Sequence, residues 1–150
     1  MDAAGEYREA TEALLAQVTA LDPGTLDRRV EGGWSARQVL HHLADSEAQS
    51  YARLRRLLAE PDPVIQGYDE AAWARTPALG YEELPVEHAV AVFAAVRQAS
   101  YDLLARLTPE DLGRVGRHSE SGAYGVVDWI EIYTRHPREH LAQLREAIES

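Results

Sequence analysis

Two histidines four residues apart, His136 and His140, are the strongest chemical signal in the sequence. In an α-helix, residues i and i+4 lie on one face, one turn apart, so both imidazoles can reach a single metal ion. The apolar stripe of the same segment runs through Val126, Trp129, Ile130 and Tyr133, then continues through His136 and His140 to Leu144. The histidines therefore belong to the inward face. A third histidine, His42, lies far upstream in another helical segment. Three neutral imidazoles on one divalent ion leave a coordination position free, which is the catalytic pattern and not the sealed structural one. Such an ion lowers the pKa of a bound water or thiol toward neutrality and makes a nucleophile of it. The plain alternative is a set of core histidines held by hydrogen bonds.

Bringing these rings together requires helices that carry them to a common face. Ser35 as N-cap and Gln38 at N3 form a capping box, with Trp34 placed to staple onto Val39. The helix they open is expected to run to about Ala59, where Pro61-Asp62-Pro63 stops it. Its inward face is Val39, His42, Leu43, Ser46, Ser50, Leu54, Leu57 and Leu58. His41 is rotated by about 100° to the polar side, beside Gln38 and Asp45, so His42 is the better ligand of the adjacent pair.

The other helices follow from the same periodicity. Helix one is expected over Asp2–Ala20, with Tyr7, Ala10, Leu14, Val18 and Leu21 inward. Helix three is expected over Pro85–Leu107, with a seam of Val86, Val90, Phe93, Arg97, Ser100, Leu104 and Leu107. Arg97 stands out in that row, since a buried cation needs a partner or a polar pocket that binds an anionic ligand group. Helix four is expected over Tyr124–Ile148. Pro137 lies inside it, removes the bond to the Tyr133 carbonyl and should kink the helix between the two histidines. Residues 61–84 form a long connection, with Asp69 capping a short helix and Tyr68 and Trp73 as apolar anchors over a site. Residues 113–125 read as a Gly- and Ser-rich loop with His118 exposed, and no stretch reads as strand. The expected fold is all-α: one domain over 1–150, a four-helix bundle with a long crossover between helices two and three.

Composition narrows the chemistry. The chain has no cysteine, which excludes thiolate zinc sites, disulfides and a cysteine nucleophile. Every basic side chain other than histidine is arginine, which excludes lysine Schiff-base chemistry. A formal net charge of -10 argues against nucleic acid as a partner. No apolar run is long enough to span a bilayer, and Met1-Asp2-Ala3-Ala4-Gly5-Glu6 lacks a signal pattern. A cytoplasmic location without membrane partners is the expectation.

The motifs resemble those of the DinB-like, or YfiT-like, metalloprotein superfamily. Trp34-Ser35-x-x-Gln38-Val39-Leu40-x-His42-Leu43-Ala44-Asp45-Ser46-Glu47 is similar to its second helix, and Tyr68-Asp69-Glu70-x-x-Trp73-Ala74 to its mid-chain loop. Phe93-x-x-x-Arg97 is similar to its third helix, and His136-x-x-x-His140-Leu141-x-Gln143-Leu144 to its closing one. The matches lie in order over about residues 30–145. The resemblance implies a bundle, often a homodimer, with zinc or nickel on His42, His136 and His140. It also implies a small-molecule substrate and, in some relatives, transfer of a low-molecular-weight thiol such as bacillithiol or mycothiol. The leading expectation is thus a thiol S-transferase acting in detoxification or stress. A metal-dependent hydrolase and a non-catalytic metal-binding bundle are the alternatives. Arg97 is a candidate to hold a carboxylate of the thiol, Tyr133 a candidate hydrogen-bond donor, and Asp45, Glu47 and Glu139 the carboxylates nearest the histidines.

Overall fold

The computed structural model describes residues 2–150. Four long helices build the bundle: α1 (Ala3–Thr19), α2 (Ala36–Ala59), α4 (Glu87–Leu104) and α6 (Val126–Glu149). Short helices α3 (Glu70–Arg75) and α5 (Pro109–Leu112) lie in the connections. Both α2 and α6 pack against α4 or α1 as well as each other, so the order around the bundle is α1, α4, α2, α6. Helices consecutive in sequence, α1 and α2, therefore sit across a diagonal, which makes this a crossed bundle. No helix among the described residues is long and apolar enough to cross a membrane.

The helix starts follow their caps. Asp2 accepts from the Gly5 amide at 2.7 Å, and Ser35 and Gln38 form the reciprocal box that opens α2. Helix α6 begins two residues later than expected, where the Asp128 carboxylate accepts from the Gly125 amide at 2.7 Å. It then passes through Pro137 without interruption. The carbonyl of Tyr133, which Pro137 cannot serve, accepts instead from Arg97 Nη1 at 2.6 Å.

The expectation of no strand is corrected. Val64–Ile65 (β1) pairs in parallel with Val115–His118 (β2), which pairs antiparallel with Gly122–Gly125 (β3). The Gly- and Ser-rich segment is thus a hairpin, turned by Gly122 at φ 85°. Strands of two to four residues are too short to show alternation, and the β1–β2 pairing is set by residues far apart in sequence. Gly116 allows the close approach: a Cβ there would stand 2.5 Å from the Pro63 carbonyl oxygen. The sheet pins the start of the 61–84 connection to the bundle.

Two apolar clusters fill the core. One gathers Tyr7, Leu54, Leu57, Ile65, Val126, Trp129 and Tyr133; the other Leu14, Val39, Leu40, Leu43, Phe93, Leu141 and Leu144. Between them along α2 and α4 lies a buried polar layer: His42, Ser46, Glu47, Ser50, Arg97 and Ser100. Buried polar groups persist only when paired, and the pairing in this layer defines the site.

Candidate metal centre

His42 arrives from α2 and His136 and His140 from α6, two helices packed side by side. Their Nε2 atoms form a near-equilateral triangle: 3.1 Å from His42 to His136, 3.1 Å from His42 to His140 and 3.0 Å between His136 and His140. Nitrogens about 2.0–2.1 Å from a shared ion stand roughly 2.9–3.4 Å apart for angles from square to tetrahedral. The triangle falls inside that range. A proton on one nitrogen can serve one neighbour at a time, so hydrogen bonding alone cannot pair all three corners.

Electrostatics keeps the rings available as ligands. Burial lowers the pKa of His42 to about 3, helped by His140, and that of His136 to about 2, helped by both neighbouring histidines. Burial also lowers His140. Neutral imidazoles present lone pairs, which a cation requires. Gln143 Oε1 lies 2.7 Å from His140 Nδ1, so that nitrogen carries the proton and Nε2 is bare. The Nδ1 atoms of His42 and His136 are buried without hydrogen-bond partners. The indole of Trp34 packs on His42 with ring centroids 5.0 Å apart.

The carboxylates nearest the histidines in sequence make their bonds elsewhere, and Glu139 is the surface charge it was expected to be. Asp45 accepts from the Tyr81 hydroxyl at 2.5 Å, which ties the long connection to α2. Glu139 pairs with Arg135 at 3.1 Å on the surface. Glu47 is buried against Arg97 at 3.1 Å and accepts from Ser50 Oγ at 2.6 Å; burial pushes its carboxyl pKa up while both partners pull it back.

Arg97 is corrected as a thiol anchor. Its side chain is fully buried. It donates to Thr11 Oγ1, Glu47 Oε1 and the carbonyls of Tyr133 and Tyr7, and its guanidinium lies 3.4 Å from the centroid of the Tyr7 ring. Four of its five N–H groups are spent on these core partners and the side chain is buried away from the cleft, so it serves the core and not a ligand. The Tyr133 hydroxyl accepts from Arg53 at 3.1 Å, and its pKa is raised to about 12, chiefly by burial. His41 meets the Leu84 carbonyl at 3.1 Å, and His118 lies on β2 beside Tyr124. Neither joins the triad.

Two residues that stand in the family-like motifs were given no role by sequence reasoning. Gln143 is three residues after His140, and that spacing could have identified it as an orienting partner. Glu70, at the start of α3, places Oε2 3.7 Å from His42 Nε2, a proximity that its loop motif does not indicate. An open cleft of about 330 Å³, lined by Gly32, Gly33, Trp34, Glu70, His140 and Gln143, leads to the triad.

Comparison with known proteins agrees with this geometry. Residues 6–144 match the sequence profile of the DinB superfamily. An Oceanobacillus iheyensis protein named "Putative metal-dependent hydrolase" is 41% identical over 113 residues, 75% of this chain. That match spans 64% of the relative, under two thirds of its length. A Bacillus mycoides protein of the same name is 33% identical over 140 residues, covering 93% of this chain and 79% of its own. Among solved structures, YfiT from Bacillus subtilis superimposes with a TM-score of 0.85 at 28% identity, over 97% of this chain and 83% of that one. It is described as "a probable metal-dependent hydrolase with an unusual four-helix bundle topology".

Proposed function

The chain belongs to the DinB superfamily, and from that premise we propose that it hydrolyses a small molecule at a divalent ion held by His42, His136 and His140. The observation that carries this reading is the triangle of neutral Nε2 atoms at 3.0–3.1 Å, reached through a cleft open to the outside. The hydrolase wording of the relatives' names supports the reaction class. The all-nitrogen donor set suits zinc or nickel. When bound, such an ion supplies Lewis acidity and a water of lowered pKa.

The chain's own residues do the rest. Gln143 holds His140 in the tautomer that turns a lone pair inward. Trp34 packs on His42 and forms part of the cleft wall. The cleft presents the Glu70 carboxylate and no arginine among its lining residues. That charge balance favours a neutral or cationic substrate, such as an amide or an ester, over an anionic one.

Thiol S-transfer is the second reading, because an open coordination position accepts a thiolate as readily as water. With Arg97 committed to the core and Glu70 at the cleft, an anionic thiol meets no countercharge, which places this reading second. One protein sample separates them. Zinc-loaded protein purified without an affinity tag is assayed for hydrolysis of nitrophenyl esters and anilides, and for thiol consumption with a chlorinated dinitrobenzene. Hydrolysis that disappears in His136→Ala supports the leading reading. Thiol consumption without hydrolysis transfers support to the second, and absence of stoichiometric metal overturns both.

A further inference from the structure

The connection between α2 and α4 carries one carboxylate over the three histidines. Glu70 Oε2 stands 3.7 Å from His42 Nε2, with the Glu70 side chain 55% exposed at the cleft. The two atoms are too far apart for a hydrogen bond, and His42 Nε2 already faces the Nε2 atoms of His136 and His140. A bare imidazole nitrogen and a carboxylate oxygen are both acceptors, and facing acceptors repel unless a proton or a cation lies between them. Among the described residues no arginine pairs with Glu70.

The local fold holds the carboxylate in place. Asp69 caps α3 by accepting from the Ala72 amide at 2.9 Å, and the Tyr68 and Trp73 rings pack with centroids 4.7 Å apart. Upstream, Gly67 donates its amide to Ser119 Oγ at 2.8 Å, and β1 pairs with β2. Downstream, Tyr81 is tied to Asp45. The segment is fixed on both sides of Glu70, while Glu70 itself has no competing partner.

We propose that Glu70 is a fourth, displaceable donor to the divalent ion, so that occupancy of the triad tightens the hold of the bundle on the docked α2–α4 connection. This rests on the three-histidine metal site proposed above. The carboxylate offsets one of the ion's two charges, and a solvent-facing position on a helix of six residues lets an incoming substrate displace it.

The test compares wild type, Glu70→Ala, Glu70→Gln and the surface control Glu139→Gln. Zinc affinity is measured by chelator competition, the coordination environment by visible absorption of the cobalt(II)-substituted protein, and docking by hydrogen exchange over residues 66–75 with and without zinc. Glu70→Ala is expected to weaken zinc roughly tenfold or more, change the intensity of the cobalt bands and abolish the zinc-dependent protection. Glu70→Gln is expected to fall between, and Glu139→Gln to match wild type. Unchanged affinity and an unchanged cobalt spectrum in Glu70→Ala overturn the inference and leave the three-histidine centre standing. Failure of wild type to take up either ion overturns both.

Discussion

Arg97 Nη1 and the carbonyl oxygen of Tyr133 stand 2.6 Å apart, and the contact repairs the helix that carries two of the three histidines. Pro137 offers no amide to that carbonyl, and an unmet buried carbonyl is costly. The guanidinium fills the gap from α4 while also reaching Tyr7 and Thr11 on α1 and Glu47 on α2. One side chain thus joins all four long helices at the level of the site.

Removing Arg97 should therefore be expensive. Arg97→Ala leaves Glu47 as a buried carboxylate without its partner and is expected to lower stability by about 3–5 kcal/mol. Pro137→Ala restores an amide to the Tyr133 carbonyl, so it should be more favourable in the Arg97→Ala background than alone. A double-mutant cycle by urea denaturation should show a coupling of about 0.5–3 kcal/mol, and simple additivity would contradict the link.

The ligand set is checked by metal analysis. Single changes of His42, His136 or His140 to alanine should each abolish stoichiometric zinc, while His41→Ala should retain it. Gln143→Leu removes the acceptor at 2.7 Å from His140 Nδ1 and should weaken zinc roughly 10- to 100-fold. Zinc retained in His140→Ala would refute the assignment.

Stability of the metal-free protein should depend on pH in one direction. His42 and His136 have folded pKa values lowered by burial to about 3 and about 2, from an ordinary value of 6.5. Below the ordinary value the unfolded chain takes up protons that the folded chain refuses, so their contribution is complete above about pH 6.5 and declines as pH falls toward 3. The urea midpoint of metal-free protein should drop between pH 8 and pH 5. An equal drop in His42→Ala and His136→Ala would assign it to other groups.

Docking of the connection depends on a missing side chain. Gly116→Ala places a Cβ 2.5 Å from the Pro63 carbonyl oxygen and 2.7 Å from the Pro63 ring. Neither atom is the end of a flexible chain, so β1 must shift from β2. Hydrogen exchange should rise over 63–70, with α2 and α6 little changed. Unaltered exchange would show that the pairing does not hold the segment.

The bundle and the histidines were legible because their signals are local: the cap at Ser35, 3.6-residue periodicity, and an i, i+4 pair on an apolar stripe. Arg97 was legible as an anomaly, but its partners were not, because Tyr7, Thr11 and Glu47 come from other helices. The sheet and the position of Glu70 over the histidines escaped for the same reason. Two residues of β1 have no pattern of their own, and the position of Glu70 is set by long-range pairing and by the loop that follows.

His42 and His140 lie 98 positions apart along the chain, and their ring nitrogens lie 3.1 Å apart in space. An ion shared between them would act as a reversible cross-link around most of the polypeptide. Closing a loop of that size in the unfolded chain costs conformational entropy, about 4–5 kcal/mol in the analogous disulfide case, and the folded chain has already met that cost. Chelation should then loosen the whole molecule as well as silence its chemistry.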